Sequence, residues 1–145
     1  MPDYSDVAVR AAINLRSGQS ISARKAWDDA AAEVFPKSVS MQSKGCPRTT
    51  FLTLCARGAL KDLLPSGVVG SGENVRHAED GLALLGDHPE YMTMTPRRLW
   101  SLITHSSGKT YNQQMHVILG LAKAGLLQFE DQSGFKTKNQ ATKNT

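Results

Sequence analysis

Apolar residues recur every three or four positions along most of the chain, a period that predicts helices. Val7, Ala8, Ala11, Ala12 and Leu15 mark a first helix over residues 4–17, closed by Gly18. Trp27, Ala30, Ala31, Val34 and Phe35 mark a second over 23–35, with Ser22 placed as N-cap and Pro36 as stop. Residues 37–45 are polar and read as a connection. A third helix is expected to start at Cys46 and Pro47, because proline suits the first helical position. It carries Phe51, Leu52, Leu54 and Cys55 and ends near Gly58. Gly67, Gly70 and Gly72 make 65–72 a loop, and Val75, Ala78, Leu82 and Leu85 then define a fourth helix over 73–85.

Thr95 and Pro96 supply a capping hydroxyl and a first-turn proline for a fifth helix, about 96–105, with Leu99, Trp100, Leu102 and Ile103 as its apolar side. After a break at 106–108 the sixth helix, about 111–124, has the clearest pattern. Met115, Ile118, Leu119 and Ala122 lead to Leu126 on one side, Asn112, His116, Gly120 and Lys123 lie on another, and Gly125 is the expected C-cap. Residues 126–129 read as a short strand, 130–134 as a turn and 135–138 as its return. The expected fold is therefore mainly α, a single six-helix domain over 1–127. A hairpin at 128–138 and a disordered tail at 139–145 follow.

Composition narrows the class. At 145 residues, 40% apolar and 21% charged, the chain suits one hydrophobic core. No apolar run approaches the roughly 20 residues that cross a bilayer, so no membrane partner is expected. The first six residues carry Asp3 and Asp6 where a secretory leader carries Lys or Arg. With only Cys46 and Cys55, free thiols in a reducing cytoplasm are the expectation.

Charge changes the picture most. Residues 1–90 balance to −1, whereas 91–145 carry +5, and residues 91–129 contain no carboxylate side chain. Helix, break, helix and hairpin is also the order of a winged helix-turn-helix. On that reading Arg97, Arg98, Lys109 and Lys123 meet phosphates, and Asn112, Gln113, Gln114 and His116 meet bases or sugars. Lys136 and Lys138 decorate the wing. An unrelated helical bundle has the same order of elements.

Two other classes stay open. One is a protein-interaction domain, such as a regulatory factor that masks a larger machine. The other is a thiol-dependent enzyme, with Cys46 at a helix start beside Lys44 and a base from His77, His105 or His116. The two cysteines and four histidines match no metal-ligand spacing, and the glycine-rich loop lacks the Lys-Ser/Thr of a phosphate loop, so no metal or cofactor is expected.

Ala26-Trp27, Ala30-Ala31, Lys44-Gly45-Cys46-Pro47, Phe51-Leu52, Leu54-Cys55, Leu99-Trp100, Lys109, Asn112 and Gln114-Met115 together resemble an uncharacterised bacterial family, a domain of unknown function. The resemblance covers about residues 4–127. It implies a compact helical protein and supplies no activity to carry over.

Overall fold

In a computed structural model, which describes residues 2–129, the six expected helices are all present. They are α1 (Tyr4–Arg16), α2 (Ala23–Val34), α4 (Gly45–Ala56), α5 (Glu73–Asp87), α6 (Pro96–Ile103) and α7 (Gln114–Lys123). A single turn, α3 (Val39–Gln42), and a 3-10 helix, Pro89–Thr93, interrupt stretches that the pattern left irregular.

Most ends follow from local chemistry. Asp3 and Asp6 form a capping box on α1, and Ser17 and Gly18 close it, with Gly18 at φ +82°. The Ser22 hydroxyl accepts the Lys25 N–H at the start of α2, and Thr95 accepts the Arg98 N–H at the start of α6. Two starts move. The fourth element begins at Gly45, ahead of Cys46 and Pro47, because first-turn N–H groups lack intrahelical acceptors and proline is tolerated throughout that turn. The last helix begins at Gln114, three residues later than its apolar period suggested. Gln113, at φ +67°, turns the chain just before it.

The α3 turn buries none of its own residues; the Ser38 hydroxyl caps it by accepting the Met41 N–H, and contacts with α1 and the end of α2 hold it. The Tyr4 hydroxyl donates to the Met41 carbonyl (2.8 Å), and the Gln42 amide donates to the Phe35 carbonyl (2.8 Å). Tyr4 in turn lies parallel to Trp27 at 6.3 Å and tilted against Phe35 at 5.1 Å, with Phe51 5.3 Å from Trp27. Alanines facing one another on α1 (Ala8, Ala11, Ala12) and α2 (Ala26, Ala30, Ala31) are fully buried and let these helices approach closely.

The centre of the molecule is α7, packed against α1, α4, α5 and α6. Met115, Val117, Ile118, Leu119 and Leu121 are all buried on it. Two glycines set its distance from neighbours. A Cβ on Gly120 would lie 2.5 Å from the Ser5 Cβ and 2.9 Å from the Ser5 Cα, so α1 crosses α7 almost backbone to backbone. A Cβ on Gly81 of α5 would meet only the tip of Ile118, at 2.9 Å, and Met115.

Beyond α7, Gly125 takes φ +74° and the chain turns back. Leu127 pairs with Leu60 in one antiparallel bridge, flanked by the Lys61 N–H on the Leu126 carbonyl and the Gln128 N–H on the Ala59 carbonyl. The expected strand at 126–129 is thus a single bridge to the α4–α5 connection. The return arm of the expected hairpin and the tail at 139–145 lie outside the described residues.

Gly120→Ala is expected to destabilise the protein by about 1–3 kcal/mol, because backbone atoms of Ser5 block the new methyl group. Gly81→Ala is expected to stay within about 1 kcal/mol, since a flexible tip can move and alanine favours the helix. Urea unfolding of both variants checks the order.

Candidate functional site

The recognition-helix placement expected of a winged helix-turn-helix is closed to α7 in this fold. Its core-facing residues are buried on several sides, and α1 covers the face that carries Gly120. The connection from α6 is also long: residues 104–113 include His105, Ser106, Gly108 and Gln113 at positive φ. A groove-reading helix needs one exposed long face, and α7 lacks it.

The polar residues before and at the start of α7 are tied into the protein. Gln114 is only 2% exposed. Its carbonyl oxygen accepts the Asn112 N–H at 2.8 Å, and its amide donates to the Asn74 Oδ1 at 3.2 Å. Asn74 then donates to the Cys46 Sγ at 3.4 Å. Cys46, Asn74 and Gln114 all sit in the first turns of their helices, so the starts of α4, α5 and α7 meet here. Lys-Gly-Cys-Pro and Asn-x-Gln-Met, 68 residues apart from cysteine to glutamine, are thereby joined. Asn74 is the member that sequence reading missed, because nothing local to 73–85 marks it.

Cys46 is half-buried and its side-chain partner is an amide, not an imidazole. A thiol nucleophile needs a base within hydrogen-bond reach, so this arrangement favours structure over covalent catalysis. Burial pushes the Cys55 thiol up to about 12. Iodoacetamide on the folded protein is therefore expected to label Cys46 and to spare Cys55, read by mass spectrometry before and after unfolding.

The expected cationic contacts divide into two groups. Lys109 belongs to the first: its ammonium lies 2.5 Å from the Glu73 carboxylate, which that contact holds below the usual carboxylate range. The Lys109 carbonyl also accepts the Trp100 indole N–H at 3.1 Å. Trp100 packs edge-on to His77 at 4.7 Å; burial pushes the His77 imidazole down, against the opposing pull of Glu73 and Asp80.

Arg97 belongs to the second group, around His116, and Lys123 lies about two turns beyond that histidine on α7. The Arg97 guanidinium lies 5.3 Å over the Tyr111 ring, and Tyr111 stacks on His116 at 5.6 Å. The Tyr111 oxygen accepts the His116 N–H (3.0 Å) and lies 2.5 Å from its Nδ1. Asp3 Oδ2 is 4.0 Å from Nε2, too far for a hydrogen bond. Burial pushes the His116 imidazole down; Asp3 opposes that shift, while Arg97 and Lys123 reinforce it. Burial likewise raises the Tyr111 phenol.

Arg98 is exposed beside Arg97 on the first turn of α6. Gln113 lies in the turn before α7, its side-chain oxygen buried without a hydrogen-bond partner among the described residues. Lys136 and Lys138 lie outside the described residues. Among the described residues no group of His, Cys, Asp and Glu has the arrangement of a metal site.

The depressed histidines have a pH consequence. A neutral imidazole in the fold and an ordinary one near 6.5 in the unfolded chain mean that unfolding takes up protons. Stability is then whole above that value and is lost as pH falls toward the lowered ones. The melting temperature should drop between about pH 7.5 and 5.5, and a His77→Gln, His116→Gln double variant should flatten that fall.

The family model for DUF6979, a family of unknown function, matches residues 1–128. No curated protein and no solved structure matches the chain.

Proposed function

We propose a function for a chain that belongs to the DUF6979 family of unknown function: a non-enzymatic module that binds polyanions, nucleic acid above all, through surface cations. One observation carries this reading. Arg97, Arg98 and Lys123 have no acidic partner among the described residues, and five of the eleven carboxylates of the first ninety residues pair only with cations of that same part. Arg10 pairs with Glu33, Arg16 with Asp62, Arg24 with Asp28, Lys25 with Asp29 and Arg57 with Glu79. Lys109, held by Glu73, is the exception and a weaker contact.

With α7 encased, contact runs through phosphates and not base edges, so the reading predicts little sequence preference. Asn112 and Gln114 then act by fixing the approach to α7, and His116 flanks the cations.

A second reading, a protein-interaction domain, draws support from a groove of about 410 Å³ with Leu15, Leu60 and Leu63 along it beside Ser20, Asp62 and Ser66. Ile21, 97% exposed, and Leu64, 87% exposed, stand at its edges.

Fluorescence anisotropy with labelled duplex and single-stranded oligonucleotides at low salt tests the first reading. Affinity for duplex should fall with a log–log salt slope of about −2 to −3, as three phosphate contacts require. Arg97→Ala, Arg98→Ala, Lys123→Ala together should weaken binding by at least about tenfold, while Arg24→Ala, Lys25→Ala should leave it unchanged. No binding at low salt overturns the proposal. Capture of a partner that resists nuclease and is lost in Ile21→Ser would favour the second.

A further inference from the structure

His116 stands where the three elements around the second cationic group meet. Asp3 faces it from the cap of α1, and Tyr111 stacks on it from the connection and carries the Arg97 guanidinium of α6 over its ring, while Lys123 lies about two turns further along α7. The Tyr111 phenol, kept protonated by burial, donates to Nδ1. The neutral ring therefore carries its proton on Nε2, toward Asp3, a tautomer assigned from the hydrogen bonds. Adding a proton makes Nδ1 a donor to the phenol oxygen and adds a positive charge on the far side of Tyr111 from Arg97.

We propose that His116 is a proton-operated regulator of this cationic face, so that affinity for a polyanion rises as pH falls. The proposal rests on the polyanion reading above. Its physical basis is linkage. In the free protein, burial and the two flanking cations keep the ring neutral. A phosphate backbone lying across Arg97 and Lys123 neutralises their repulsion and favours the imidazolium, so binding takes up a proton. By reciprocity, supplying that proton strengthens binding. Asp3 also favours the imidazolium, but its carboxylate competes with the ligand for it.

Anisotropy with a labelled duplex oligonucleotide at one low salt concentration, from about pH 7.5 to 5.5, tests this. Wild type should tighten by about threefold to tenfold, one unit of ligand-induced pKa shift being a factor of ten. His116→Gln should change by less than about twofold over the same range, which removes the contribution of His77, His88 and His105 from the comparison. Asp3→Asn keeps an N-cap acceptor for α1 and should bind more tightly than wild type at neutral pH. Binding by wild type that is indifferent to pH, or a gain shared equally by His116→Gln, overturns the regulator and leaves the polyanion reading standing. Absence of binding at every pH overturns both.

Discussion

Everything in this fold is arranged around the close crossing of α1 over α7. Gly120 has no side chain, and Ser5 occupies the space a Cβ would need. With α1 seated there, α7 has neighbours on several sides and its Met115, Val117, Ile118, Leu119 and Leu121 are removed from water together. Burying five large side chains on one ten-residue helix gives the domain its centre, at roughly 25 cal/mol per Å² of apolar surface. The same crossing brings Asp3, at the α1 cap, to His116. Packing and the surroundings of His116 thus share that crossing.

That crossing also shapes the functional reading. A helix buried this thoroughly positions other groups instead of presenting its own. Gln114 and Asn74 join the starts of three helices to Cys46, a part-buried polar chain in which each amide is occupied. Such a chain specifies geometry, because leaving any member unpaired costs its desolvation. The cations lie outside this chain, at the surface, which is why a phosphate-contact role suits them better than base reading does.

Charge segregation along the sequence became only partial segregation in space. The carboxylate-free stretch from 91 to 129 keeps Arg97, Arg98 and Lys123 free of acidic partners among the described residues, but α5 delivers Glu73 to Lys109. The electrostatics are therefore set by which helix starts lie next to which loops. A count along the chain does not contain that information.

What the amino-acid sequence determined by itself is local. Its 3.6-residue period, the Ser22 and Thr95 caps, and the glycines at 18 and 125 sufficed for the six main helices and most of their ends. Those signals act over a turn or less, so they are legible in any stretch of chain. The tertiary structure alone decided the rest. It tied α3 to the Tyr4 hydroxyl, delayed α7 to Gln114, and turned the expected strand into one bridge with Leu60. It also brought Asn74 to Cys46 and Asp3 to His116, partners 28 and 113 positions apart. Such contacts depend on which helix faces which, and that choice is made by the shape of the whole core, through small residues such as Gly120, and not by any neighbour in sequence.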